Sequence, residues 1–264
     1  MAPSHHPNID LTRDGHVATV TIDNPAAKNG CTGDMWVAIG QTFRDLSWSG
    51  VRVVVLTGAN GDFCAGAQLG GGGGDGDRPP ASQLDSMRVL AEVVHAVYEC
   101  PVPVIAKVDG VAVGAGLGLA LASDLTWCSD RSRFSAIFAK RGLSLDFGTS
   151  WLLRQRIGAH KAKELAFTAK IVNAAEAYEL GLVNAVVPAA ELDATVAELA
   201  AAIAANPPIA IGMTKRELNN AGGQSLTAAL EVEALAQSVN VNTEDMREAM
   251  TAFFERRTPT FHGR

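Results

Sequence analysis

Residues 101–124 read PVPVIAKVDGVAVGAGLGLALASD, and the rest of the chain is organised around this stretch. Its apolar run, residues 102–108, predicts a buried strand that ends in a turn. Gly114, Gly116 and Gly118 follow, and small residues let a helix begin close to other backbone, with its first N–H groups free for a ligand. We expect one of these N–H groups to bind an oxygen that gains negative charge during a reaction. The alternative is a packing contact of small residues between a helix and a sheet.

The composition indicates a folded soluble protein of one large or two small domains. The chain has 264 residues, of which 47% are hydrophobic and 19% charged. Its net charge is −6 and it has no long basic block, so we expect neither nucleic acid nor a membrane as a partner. The four cysteines are scattered and form no metal-ligand spacing with the six histidines, which predicts reduced thiols and no metal site.

The start of the chain, MAPSHHPNIDLTRDG, lacks the apolar segment that a secretory signal needs. We expect its first residues, about eight of them, to be disordered. The longest apolar stretch, residues 111–122, is too short and too rich in glycine to cross a bilayer. A cytoplasmic location is therefore expected.

Strand and helix patterns alternate through the first part of the chain. Residues 16–22 and 51–57 are predicted strands, and the helix between them has Asp34 as its expected N-cap. This spacing is typical of βαβ units with a parallel sheet. Beyond residue 190 the sequence is almost entirely helical, so we divide the chain into a core, residues 1–190, and a C-terminal helical subdomain, residues 191–264.

A second informative stretch, FCAGAQL at residues 63–69, follows a predicted strand and consists mainly of small residues. The glycine run after it, residues 70–77, could cradle a phosphate, but no GK[ST] follows and its aspartates oppose phosphate. A mobile loop is the better interpretation. Helix resumes near residue 82, and His95 on this helix is interpreted as a packed or surface histidine.

Together these stretches resemble the crotonase family, also called the enoyl-CoA hydratase/isomerase superfamily. FCAGAQL is similar to the family's FCAGADL segment, and PVIAKVDGVAVGAGLGLALASDLTWCS resembles its second signature nearly residue for residue. ELGLVNAVVP and the closing AFFERRTPTFHGR match as well, so the resemblance runs from about Ile9 to Arg264. It implies an α/β fold, a spiral of ββα repeats with a C-terminal helical trimerisation region, assembled as a homotrimer or as a hexamer of two trimers.

The resemblance also implies a site. An acyl-CoA thioester would be the substrate, with coenzyme A as part of it and no permanently bound cofactor. The backbone N–H groups of Ala67 and Ala115 would hold the thioester oxygen, because preorganised donors stabilise the oxyanion that develops there. Lys28 would lie near the CoA phosphates. The implied substrate contacts are Ala65, Gly66, Gly114, Lys28, Phe138 and Met87.

The acid–base residues depart from the hydratase pattern. Hydratases of this family use two glutamates, whereas the matching positions here hold Gly118 and Phe138, neither of which can transfer a proton. One acid remains nearby, Asp146 in RGLSLDFGTSW. Apolar neighbours would raise its pKa towards the range of a useful base. The alternative is that Asp146 caps the helix expected to begin between Gly148 and Trp151.

Four functions remain open from the sequence. The first is an enoyl-CoA isomerase, in which Asp146 moves a proton between two carbons. The second is a dehalogenase or hydrolase in which Asp146 is a nucleophile, with His95 as its partner and Phe138 against a flat substrate. The third is a hydratase-like lyase assisted by Asp146 alone. The fourth is an acyl-CoA-binding protein without turnover.

Overall fold

The computed structural model describes residues 4–68 and 83–264. The glycine run expected to be a mobile loop, residues 70–77, lies outside these ranges. The strands are β1 Ile9–Asp14, β2 Val17–Ile22, β3 Val53–Gly58, β4 Val104–Val108, β5 Val111–Val113, β6 Leu125–Ser129, β7 Arg133–Ser135, β8 Val172–Asn173 and β9 Ala185–Val187. The α-helices are α1 Gly33–Leu46, α2 Gln83–Tyr98, α3 Ala115–Ala122, α4 Thr149–Thr168, α5 Ala174–Glu179, α6 Leu192–Ala204, α7 Pro208–Ala221, α8 Leu226–Asn240 and α9 Glu244–Glu255.

The main sheet has the strand order β1-β2-β3-β4-β6-β9. β1 and β2 are an antiparallel pair, and the later pairings in this sheet are parallel. The central strands β3 and β4 are nearly continuous apolar runs, as expected where helices cover both faces of a sheet. A smaller sheet, β5-β7-β8, begins after the two-residue turn that follows β4.

Alternate residues of β3 point into two different cores, because side chains alternate along a strand. Val54 and Leu56 belong to the larger core, which α1, α2, α3 and the start of α4 complete. Val53 and Val55 belong to the second core, where α6 covers the sheet with residues such as Val196. The first helix of the expected C-terminal subdomain therefore shares a core with the main sheet.

Two local features differ from the sequence expectations. The cap of α1 is Thr32, whose hydroxyl accepts a main-chain N–H, whereas Asp34 lies in the first helical turn. A carboxylate in that turn still interacts favourably with the helix dipole. At the chain start, where disorder was expected, His5 Nε2 lies 2.8 Å from Asp45 Oδ2 on α1.

The last two helices leave large apolar side chains in solvent. No residue of α8 is buried, and α9 exposes Phe253 and Phe254, each by 75%. The centroids of these two rings lie 5.7 Å apart, so they form one apolar patch. Exposed apolar surface of this kind marks interaction sites in soluble proteins.

Within the described ranges, no single helix is long and apolar enough to cross a membrane. One bent pair, Ala189–Ala204 with Pro208–Ala221, passes on length and composition when taken together. The first member of that pair includes α6, which packs on the sheet.

Candidate active site

The FCAGA segment is held by hydrogen bonds to the loop before α1. Cys31 N–H donates to the Gly66 carbonyl at 2.8 Å, and the Cys31 carbonyl accepts from Gln68 N–H at 2.9 Å. Ala67 lies between these two partners and pairs with Cys31 in a parallel bridge, so its own N–H points away from Cys31. That N–H finds no acceptor within residues 4–68 and 83–264, which leaves it available to a ligand.

The start of α3 supplies a second N–H group. Gly114 caps this helix with φ 59° and ψ −124°, a conformation that glycine tolerates. Ala115 is the first helical residue, so its N–H has no intrahelical partner, and the described part of the chain offers no other acceptor. The N-terminus of a helix carries partial positive charge, which favours a negatively charged oxygen there.

Two glycines bring these N–H groups onto adjoining backbone segments. A Cβ on Gly116 would lie 2.1 Å from the Cys64 carbonyl oxygen. A Cβ on Gly66 would lie 2.7 Å from the Val113 oxygen and 3.3 Å from the Ala115 nitrogen. Ala67 follows Gly66 directly, so the Ala67 and Ala115 N–H groups belong to backbone segments that contact each other at Gly66. Two unpaired donors in this arrangement can hold one oxyanion.

Asp146 lies half-buried in the loop before α4. Its Oδ1 atom is buried and accepts no hydrogen bond from any described residue. Gly148 caps α4 without a side-chain hydrogen bond, and Asp146 contributes only its main-chain carbonyl, which accepts from Thr149 N–H at 2.9 Å. The capping alternative for the Asp146 carboxylate is therefore wrong. Burial raises the pKa of Asp146 above the ordinary aspartate value, because the charged form loses hydration.

Close packing places the Asp146 loop beside α3. A Cβ on Gly118 would lie 2.5 Å from the Phe147 carbonyl oxygen and 2.9 Å from Thr149 Oγ1. Gly118 is less than one helical turn from Ala115, since a turn takes about 3.6 residues. The loop therefore packs against α3 at Gly118, the position that the family resemblance matches to a hydratase glutamate.

Phe147 shapes this loop. Its backbone has φ +50°, which is unusual for a residue other than glycine, and the next residue, Gly148, has φ +71°. The Phe147 ring is buried, and its centroid lies 4.6 Å from that of Trp36 on α1. The buried ring anchors two successive left-handed residues, which separate Asp146 from the first turn of α4.

Thr149 is a site residue that the sequence pattern did not indicate. It is fully buried, and its Oγ1 has no hydrogen-bond partner among the described residues. A threonine in a first helical turn carries no special signal, because its usual role there is local. Only the approach of α4 to Gly118 brings this hydroxyl to the site.

The remaining predicted substrate contacts, Lys28, Phe138 and Met87, differ in how exposed they are. Lys28 is exposed, and its main-chain carbonyl accepts from Ala65 N–H at 3.1 Å, so it adjoins the FCAGA segment. Phe138 is only 5% exposed and belongs to the larger core. Met87 on α2 lines a cavity of about 310 Å³ together with Phe147.

Two other reactive side chains, His95 and Cys31, are poorly suited to catalysis at this site. His95 lines the same cavity, but it is exposed and its Nδ1 lies 3.3 Å from Glu99 Oε1. Burial is the main cause that raises the pKa of the Cys31 thiol well above its ordinary value, so Cys31 is not a thiolate nucleophile. The described residues contain no group of three His, Cys, Asp or Glu side chains that could hold a metal ion.

The tight contact at Gly118 predicts that even one methyl group is not tolerated there. Gly118→Ala should lower the free energy of unfolding by about 1–3 kcal/mol, because Phe147 and the start of α4 must shift. Gly33→Ala is the matched control, since nothing lies within 4 Å of a Cβ at Gly33. Urea unfolding of both variants measures the difference, and equal midpoints would contradict the packing described for Gly118.

The raised pKa of Asp146 predicts a pH-dependent gain of stability in Asp146→Asn. A carboxylate whose folded-state pKa lies above its unfolded value opposes folding at pH values above both, and this effect vanishes below the ordinary pKa of about 3.9. The variant should therefore be more stable than the wild type at neutral pH and lose that advantage on acidification. Thermal unfolding across this pH range is the measurement, and a variant less stable at neutral pH would contradict the prediction.

Comparison with known proteins identifies the family to which the chain belongs. Residues 12–264 match the sequence model of the enoyl-CoA hydratase/isomerase family. The chain is 34% identical over 264 residues to the short-chain-enoyl-CoA hydratase of Clostridium acetobutylicum, covering 95% of each protein. It is 32% identical over 250 residues to the 1,2-epoxyphenylacetyl-CoA isomerase of Escherichia coli, covering 94% of this chain and 95% of that one. A solved structure from Thermobifida fusca in complex with CoA has a TM-score of 0.83 and 35% identity, covering 89% of this chain and 93% of that one. The chain belongs to the enoyl-CoA hydratase/isomerase family and has the crotonase fold.

Proposed function

We propose that this family member is an enoyl-CoA isomerase in which Asp146 carries the proton. The observation that supports this most directly is the Asp146 carboxylate, which has a buried oxygen without a hydrogen-bond partner among the described residues. The two positions that match the hydratase glutamates hold Gly118 and Phe138. One carboxylate suffices for isomerisation, whereas activating water and protonating carbon together call for two.

The backbone donors and Asp146 would act on opposite ends of one reacting system. The Asp146 carboxylate removes a proton from C2 of a 3-enoyl thioester, and the C–H electron pair moves onto the thioester oxygen as a dienolate. The N–H groups of Ala67 and Ala115 hold that oxygen, and removing a donor of this type costs about 2.7–4 kcal/mol of transition-state stabilisation. The protonated Asp146 then returns the proton at C4, which leaves a conjugated 2-enoyl thioester.

The pKa shift of Asp146 suits both halves of this cycle. A carboxylate with an ordinary pKa is a weak base, and raising the pKa by desolvation strengthens it. The neutral acid formed after proton removal is also better tolerated in a poorly hydrated pocket than the anion.

The relatives are compatible with this choice without deciding it. Both a hydratase and an isomerase occur among proteins of similar identity. The Thermobifida fusca structure binds CoA, which supports a CoA thioester as the substrate here. Lys28, exposed beside Ala65, is the proposed partner of the CoA phosphates.

Isomerisation should depend on the carboxylate of Asp146. Asp146→Asn keeps the shape of the side chain but removes the base, so turnover of a 3-enoyl-CoA should fall by roughly 100- to 10,000-fold. The appearance of the conjugated thioester, followed by its ultraviolet absorbance, measures the rate. Asp10→Asn, at an exposed position on β1, is the control and should keep wild-type turnover.

Two outcomes would reject the isomerase assignment. One is full turnover by Asp146→Asn. The other is a wild-type protein that hydrates crotonyl-CoA but does not isomerise a 3-enoyl-CoA. A covalent ester at Asp146, detected by mass spectrometry, would point instead to nucleophilic chemistry.

We also propose a trimer, or a hexamer of two trimers, built through the C-terminal helices. The exposed rings of Phe253 and Phe254 and the unburied α8 support this assembly. Light scattering should give three or six times the chain mass of 27.6 kDa. The double variant Phe253→Asp, Phe254→Asp should lower that mass, whereas Trp48→Asp, at a 91% exposed tryptophan just after α1, should not. A monomeric wild type would contradict the proposal.

A further inference from the structure

We propose that Tyr98 and Trp151 close the far end of the acyl pocket and set the longest acyl chain that the protein binds. This inference rests on the proposed function in one respect, the use of an acyl-CoA thioester. It adds the side chains that select the length of that thioester.

The pocket on the near side of this pair begins at the Asp146 loop. A cavity of about 310 Å³ lies between α2 and the start of α4 and is lined by Phe147 and Gly148, the two residues that follow Asp146. Its other walls include Met87, Leu90 and Val94 from one face of α2. These side chains are apolar, so the cavity suits the hydrocarbon part of a thioester whose carbonyl lies at the oxyanion donors.

A second cavity lies beyond the same wall. It has a volume of about 460 Å³ and is bounded by α4 and α7, with apolar side chains such as Leu121, Ile211 and Leu218. Tyr98, Trp151 and Leu152 line both cavities. Residues that contact two neighbouring spaces form the partition between them, so the second cavity is the space that a longer chain would enter.

The two residues of the partition differ: Tyr98 is held in place by hydrogen bonds, whereas Trp151 can be shortened by substitution. Tyr98 O–H donates to the Asn219 carbonyl at 3.3 Å, and Asn219 Nδ2 donates to the Tyr98 carbonyl at 3.1 Å, which ties α2 to α7. Trp151 packs edge-on against the Tyr98 ring, with centroids 5.7 Å apart and an interplanar angle of 88°. Trp151 is also 49% exposed, so shortening it removes the partition with little loss of buried core.

The far wall of the second cavity limits any extension. Lys215 Nζ and Asp124 Oδ2 form an ion pair of 2.7 Å there, and Arg156 donates to the Ser123 carbonyl at 2.6 Å. These charged groups are already satisfied by each other and by backbone oxygens. A hydrocarbon chain gains nothing by reaching them, so a second limit is expected even when the partition is removed.

The test measures binding rather than turnover. Dissociation constants of saturated acyl-CoA thioesters, from butyryl-CoA to palmitoyl-CoA, are determined by calorimetry for the wild type and for Trp151→Ala. In the wild type, affinity should rise about fourfold per methylene and then level off where the chain reaches the partition. In Trp151→Ala the rise should continue over at least two further methylene groups. Trp48→Ala, at an exposed tryptophan that lines neither cavity, is the control and should keep the wild-type profile.

A second pair of variants separates the partition from general effects of mutation. Tyr98→Phe keeps the ring and should keep the wild-type limit. Trp151→Leu keeps part of the bulk, should shift the limit less than Trp151→Ala, and decides the matter if the alanine variant does not fold. An unchanged limit in folded Trp151 variants, or a wild type whose affinity rises through palmitoyl-CoA, would overturn the inference.

The binding result does not depend on the isomerase assignment, because a saturated thioester has no double bond to migrate. A shifted limit alongside unaffected turnover in Asp146→Asn would support the partition and reject the isomerase mechanism. An unchanged limit alongside lost turnover in Asp146→Asn would do the reverse.

Discussion

The contact between the Cys64–Gly66 backbone and the start of α3 is the constraint on which the site depends. Main chain meets main chain there, because Gly116 leaves room for the Cys64 carbonyl and Gly66 leaves room for Val113. Hydrogen bonds from Cys31 fix the FCAGA segment on its other side. The two N–H groups are thus positioned by backbone alone, and in the proposed reaction no side chain would have to reorganise as charge develops on the thioester oxygen.

The unpaired carboxylate of Asp146 belongs to the same electrostatic arrangement. Desolvation of this group opposes folding, and it is also the cause of the raised pKa. During the proposed proton transfer the carboxylate becomes neutral as the thioester oxygen becomes negative. In the proposed reaction the site keeps a single negative charge and moves it, from a carboxylate with one unpartnered buried oxygen to an oxygen held by two N–H donors, one of them at a helix N-terminus.

The strands and helices could be predicted from sequence because they depend on local patterns. Apolar runs predicted the central strands, whereas Ala67 and Ala115 were put forward as donors by the family resemblance and not by the glycine spacing alone, and their role stays a prediction. The direction of the Asp146 side chain could not be predicted, since it depends on the left-handed backbone of Phe147 and on where that ring is buried. The α1 cap was misassigned to Asp34 because Thr32 and Asp34 are both good caps at neighbouring positions. Tyr98 and Trp151 lie on two helices that are far apart in the chain, and no local sequence pattern predicts that their rings are in contact.

Gly118 links the fold to the choice of chemistry. A glutamate at this position would need the space that the Phe147 carbonyl and the Thr149 hydroxyl occupy. The Asp146 loop can approach α3 only because Gly118 has no side chain. A glutamate on α3 and this close approach of the loop therefore exclude each other. In this chain the carboxylate would come from the loop that packs against α3 at Gly118, directly before two residues that line the cavity between α2 and α4. If the acyl chain lies in that cavity, as proposed, a base in this loop can both remove a proton from the chain and return one, which would favour double-bond migration over addition of water.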